Sequence, residues 1–75
     1  MKENKKQIAI LGSTGSIGTQ ALEVIAEHPD LFRVEVLTAN NNSALLIEQA
    51  KKFKPNSVVI TNENKYNEVN NALFN

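Results

Sequence analysis

Apolar residues come in short runs, each closed by a glycine, a proline or a polar cluster. Residues 7–11 are such a run, ending at Gly12, and predict a strand buried on both faces. Residues 16–27 predict a helix. Ile17, Ala21, Val24 and Ile25 fall at i, i+4, i+7 and i+8, which is one helical face, and Pro29 stops the run. Residues 33–39 are rich in β-branched side chains and predict a second strand. Residues 43–54 predict a second helix with Leu46, Ala50 and Phe53 as its buried stripe. Ser43 is placed to cap it, lysines in its last turn suit the negative end of the helix dipole, and Pro55 ends it. Residues 57–61, Ser-Val-Val-Ile-Thr, predict a third strand. Residues 64–73 put Tyr66, Val69 and Leu73 on one face of a third helix.

Strands alternating with helices of this length imply right-handed crossovers and a parallel sheet. The expected fold is α/β, the first half of a Rossmann-like doubly wound sheet in the order β-α-β-α-β-α, with residues 1–75 forming one part of a larger domain. In the usual strand order the first strand lies between the second and a fourth. The fourth has no counterpart here, so residues 1–75 alone are expected to fold marginally and to bind ligand weakly, with an unpaired strand edge.

The segment Gly12-Ser13-Thr14-Gly15-Ser16-Ile17-Gly18 follows a predicted strand and opens a predicted helix. In that context each glycine has a mechanical use. Gly12 lets the chain leave the strand sharply, Gly15 lets the backbone approach a pyrophosphate, and Gly18 lets the helix pack close to the strand. The amides of Gly15 to Ile17, with the hydroxyls of Ser13, Thr14 and Ser16, are donors at a helix N-terminus, where unpaired N–H groups and the positive dipole end attract anions. A plain strand-to-helix turn needs less than three glycines with interleaved hydroxyls. Gly18 is followed by Thr19 rather than lysine, so the loop is not a nucleoside-triphosphate P-loop.

About 20 residues past the glycines, an NAD-binding fold places an acid on the ribose hydroxyls. Here the position holds Asn40, Asn41 and Asn42. Without a carboxylate to repel it, a 2′-phosphate is acceptable and asparagine amides can donate to it, which favours NADP over NAD. For Asn40 and Asn41 the competing reading is a solvated turn tolerant of left-handed backbone angles.

Composition narrows the rest. Eight basic and eight acidic side chains balance to a formal charge of zero, which gives no basic patch for nucleic acid or a membrane surface. Lys2, Lys5 and Lys6 precede an apolar run too short for a signal peptide core or a membrane span. There is no cysteine, hence no disulfide or thiolate metal site, and the chain reads as cytoplasmic and soluble. His28, the single histidine, stands beside Pro29 at a helix end and reads as a surface or capping residue. Glu23 and Glu27, one helical turn apart, read as solvated side chains rather than metal ligands.

Taken together, these residues resemble one family. Ile8-Ala9-Ile10-Leu11 with the seven-residue glycine loop is similar to the start of the 1-deoxy-D-xylulose 5-phosphate reductoisomerases. So are the stretch from His28 to Val34, the exit of the second helix at residues 50–55, and Val58-Val59-Ile60. The resemblance implies an NADPH- and divalent-metal-dependent enzyme, with Mg²⁺ or Mn²⁺. Such an enzyme rearranges and reduces 1-deoxy-D-xylulose 5-phosphate to 2-C-methyl-D-erythritol 4-phosphate, in the non-mevalonate (MEP) route of isoprenoid biosynthesis. It implies cofactor contacts at Thr14, Gly15, Ser16, Ile17 and Asn42; the glycine-loop reading adds Gly12, and the asparagine cluster adds Asn40 and Asn41 as weaker candidates. These two stand where the family commonly has glycine and lysine. It also implies that the catalytic residues, metal ligands, sugar-phosphate site and lid lie beyond residue 75, that residues 1–75 alone are inactive, and that the full-length protein is a homodimer. Two other readings stay open: another NADP-dependent dehydrogenase, such as an aspartate-semialdehyde dehydrogenase, whose catalytic cysteine would also lie downstream, or a non-catalytic nucleotide-binding module.

Overall fold

A computed structural model describes residues 5–74; Lys2 lies outside them. The elements run β1 (Lys6–Ile10), α1 (Ser16–Glu27), β2 (Phe32–Ala39), α2 (Ser43–Phe53), β3 (Ser57–Ile60), a 3₁₀ turn (Glu63–Lys65) and α3 (Tyr66–Phe74). The strands form one parallel sheet in the order β1-β2-β3. The expected α/β half-sheet is therefore present, and among the described residues β1 has a strand on one side only.

The core is built on the central strand. Val34, Leu37 and Ala39 of β2 are buried together with Ile10, Leu22, Ile25, Leu46, Ala50 and Val69, and Leu37 and Leu46 are fully enclosed. Leu46, Ala50 and Phe53 of α2 form the inward stripe the sequence predicts, though Phe53 is only partly buried. The β1–β2 register shifts between Ile8 and Ala9, so that Ile8 pairs with Val34 and Ala9 with Val36. Glu35, skipped by that shift, bonds instead to Arg33 Nε at 2.8 Å and to Asn56 Nδ2.

Three expectations are corrected. The inward face of α1 is Gly18, Leu22 and Ile25, whereas Ile17 and Val24 are 84% and 54% exposed. The cause is steric. α1 lies so close to the chain leaving β1 that a Cβ on Gly18 would fall on Gly12 O and sit 2.7 Å from Ser13 Cα. That contact turns the Gly18 side of the helix inward. It also shows that Gly18 packs on the loop backbone just past the strand. Second, α2 is capped by Asn42 rather than Ser43: Asn42 Oδ1 accepts from Leu45 N at 3.2 Å, and Ser43 is a buried first-turn residue. Asparagine and serine are similar caps, so sequence alone does not separate neighbours. Third, the last helix is entered through the 3₁₀ turn, with Asn62 Oδ1 accepting from Asn64 N at 2.9 Å, and Tyr66 is 57% exposed. His28 is exposed at the C-cap of α1, its N–H donating to Ile25 O at 3.0 Å.

Because the atoms facing Gly18 are backbone, they cannot swing aside. We expect Gly18→Ala to destabilise the fold by about 1–3 kcal/mol. Gly15→Ala, whose Cβ would meet only Gly12 O at an ordinary 3.6 Å, should change it by less than about 0.5 kcal/mol. Denaturant midpoints of the two variants check this, and equal midpoints would refute it.

Candidate cofactor site

The glycine loop and the asparagine cluster lie at the same end of the sheet, after β1 and β2, where ligands of open parallel sheets bind. The loop is held there from β2. Gly12 N donates to Thr38 Oγ1 at 2.9 Å, and Ser13 N donates to Thr38 O at 2.7 Å. Gly12 has φ +75°, a backbone conformation that side chains disfavour, which accounts for glycine at the exit of the strand. Its carbonyl accepts from Gly15 N at 3.1 Å and closes the turn.

This network divides the loop's polar groups into two sets. Ser13 is fully buried, and its Oγ donates to Gln49 Oε1 at 2.7 Å, so that hydroxyl is not available to a ligand as the sequence suggested. The Gly15 amide is likewise engaged within the loop. The amides of Thr14, Ser16 and Ile17 form no bond to a protein acceptor among the described residues. Gly15 is the N-cap of α1 and supplies no side-chain cap, so the first turn keeps its free donors. Gly15, Ser16 and Ile17 are exposed and Thr14 is half-buried. Gly15 has an extended backbone, φ −81° and ψ 176°, which any residue adopts. Neither conformation nor protein contact demands glycine at that position, which leaves room for a ligand as its reason.

Asn40, Asn41 and Asn42 do structural work with their oxygens. Asn40 Oδ1 accepts from Thr61 Oγ1, Asn41 Oδ1 accepts from Asn62 Nδ2 at 2.7 Å, and Asn42 Oδ1 caps α2. The end of β2 is thereby stitched to the end of β3. The polar groups remaining on these side chains are the Nδ2 donors. No described acid lies in the cluster, and no group of three or more His, Cys, Asp or Glu residues that could hold a metal occurs among the described residues. Glu23 and Glu27 are exposed. Among the described residues no helix is long and apolar enough to cross a membrane.

Two contributors escaped the sequence reading. Gln49 had a signal, being a polar residue three positions after Leu46 on the apolar stripe of α2, and buried polar groups have partners. Thr38 had none, since a threonine near a strand end is ordinary.

The chain is similar to known proteins of one family. Residues 8–75 match the family described as 1-deoxy-D-xylulose 5-phosphate reductoisomerase. The 1-deoxy-D-xylulose 5-phosphate reductoisomerase of Phocaeicola vulgatus is 70% identical over 69 residues, covering 92% of this chain and 18% of that one. The solved reductoisomerase of Zymomonas mobilis in complex with NADPH has a TM-score of 0.90 at 35% identity, covering 95% of this chain and 19% of that one. A DOX-P reductoisomerase solved in complex with magnesium has a TM-score of 0.84 at 31% identity, covering 91% of this chain and 17% of that one. This chain thus spans less than a fifth of the length of these relatives, and an aspartate-semialdehyde dehydrogenase is not favoured. With 68 of its residues inside the match, from 8 to 75, the chain belongs to the 1-deoxy-D-xylulose 5-phosphate reductoisomerase family.

Proposed function

We propose that this chain forms the NADPH-binding portion of a 1-deoxy-D-xylulose 5-phosphate reductoisomerase. The observation that carries the reading is the uncapped, exposed first turn of α1 standing directly after β1, with Gly15 at its N-cap. Free amides and the positive end of a helix dipole suit a pyrophosphate, and the absent Gly15 side chain allows its close approach. The bound cofactor supplies the hydride for reduction. Thr14, Ser16 and Ile17 would donate backbone N–H groups to its phosphates, and Gly12 shapes the turn that presents them. Asn42, with Asn40 and Asn41 beside it, would donate Nδ2 hydrogens to the 2′-phosphate.

In the full-length protein the remaining chemistry belongs to residues beyond 75. These comprise the divalent metal ligands, for Mg²⁺ or Mn²⁺, the sugar-phosphate site and the groups that rearrange 1-deoxy-D-xylulose 5-phosphate before reduction to 2-C-methyl-D-erythritol 4-phosphate. The resemblance supports a homodimer. The family match and the NADPH and magnesium complexes of solved relatives support this assignment.

We expect the full-length protein to oxidise NADPH only when deoxyxylulose phosphate and a divalent metal are both present, and residues 1–75 alone to turn over nothing. Absorbance at the NADPH band follows the reaction, and turnover without added or bound metal would refute the assignment.

Gly15→Val tests where the pyrophosphate sits. The fold should survive, because the site is extended and open, while NADPH affinity falls at least about tenfold from steric exclusion. Fluorescence titration that found normal affinity would place the cofactor elsewhere.

Asn42→Asp tests the 2′-phosphate. Aspartate caps a helix as well as asparagine, so α2 should persist, but a carboxylate would face the phosphate in place of an amide donor. We expect NADPH affinity to drop about tenfold with NADH affinity nearly unchanged. A parallel loss for both cofactors would count against Asn42 as a discriminating contact.

A further inference from the structure

Gln49 is a buried polar residue on a helix that does not belong to the glycine loop, and it grips that loop twice. Its Nε2 donates to Ser13 O at 2.8 Å, and its Oε1 accepts from Ser13 Oγ at 2.7 Å. Gln49 is 8% exposed and Ser13 is fully buried, so both bonds are shielded from water. The two ends of the glutamine amide are distinct, and the pair is satisfied in one orientation only, because the Ser13 carbonyl can only accept.

The consequence lies in the next peptide unit. Ser13 C=O and Thr14 N–H belong to the same planar trans peptide, in which they point in opposite directions. Drawing Ser13 O toward α2 therefore aims Thr14 N–H away from α2, and this amide has no protein acceptor among the described residues. Thr38 fixes the preceding peptides through Gly12 N and Ser13 N, but it makes no bond to the Ser13 carbonyl. Gln49 holds that carbonyl. We propose that Gln49 is a positioning residue for the cofactor: by holding Ser13 O, it orients the Thr14 amide as a donor to the pyrophosphate. The proposal rests on the functional reading above.

The test uses the full-length protein with Gln49→Glu. A carboxylate can accept from Ser13 Oγ but repels Ser13 O, so the peptide loses its tether. A protonated carboxyl can donate to Ser13 O and accept from Ser13 Oγ, restoring both bonds. NADPH is titrated across pH, and adenosine 2′-monophosphate, which carries the 2′-phosphate but no pyrophosphate, serves as a competing probe.

At alkaline pH the variant should bind NADPH about tenfold more weakly than wild type, with affinity for adenosine 2′-monophosphate within about twofold. The NADPH defect, taken as the ratio of wild-type to variant affinity at each pH, should shrink as pH falls and the introduced carboxyl protonates. Gln49→Met, neutral and of similar length, should show the same selective loss with no pH rescue, and it serves if the glutamate variant does not fold. Equal weakening of both ligands would make Gln49 a packing residue and overturn the proposal, as would unchanged NADPH affinity in either variant. Failure of the functional reading would appear separately, as wild-type protein that does not bind NADPH at all.

Discussion

The close approach of α1 to the backbone of Gly12 and Ser13 governs the rest of the molecule. It requires a residue without a side chain at position 18, since any Cβ there would overlap Gly12 O. Once α1 is seated, the backbone of Gly12 and Ser13 is met by three elements: Gly18 from α1, Thr38 from β2 and Gln49 from α2. Thr38 and Gln49 take polar groups on the inner side of the loop. What remains outward is the set of donors at the helix mouth, around Thr14, Ser16 and Ile17. The loop carries no cationic side chain, so its attraction for an anion comes from oriented amides and the dipole of α1. Such a site depends on rigidity, because amides that can turn away lose their common focus.

Element identity was legible in the sequence because local signals and the global fold agree. The bounds of α1, residues 16–27, follow from a glycine loop in front and Pro29 behind. The helix face was less legible. Ile17, Ala21 and Val24 make an apolar row, yet Ile17 and Val24 are exposed and Ala21 is only partly buried, whereas Gly18, Leu22 and Ile25 turn inward. Hydrophobic periodicity identifies a helix but cannot weigh a glycine whose importance lies in how near another backbone comes. The same blindness applies to Ser13. As a residue type it is a plausible ligand donor, but its burial against Gln49, 36 positions away, depends on tertiary placement.

The asparagine cluster shows how one side chain carries two duties. An amide has an acceptor end and a donor end, so Asn42 can cap α2 with oxygen while keeping its hydrogens for another partner. Asn40 and Asn41 are tied by their oxygens to Thr61 and Asn62, which orients their remaining donors without the flexible stem of a lysine. A lysine would offer a mobile point charge with strong attraction and loose direction. Fixed neutral donors give weaker attraction with less conformational freedom left to lose on binding. On the proposed reading, preference for a 2′-phosphate would come from two sources. No carboxylate stands by to repel it, and donors already aligned by β3 and α2 would go unpaired beside a ribose lacking the phosphate. Discrimination is a difference between two bound states. On this reading it is set as much by what Asn40, Asn41 and Asn42 replace as by what they contact.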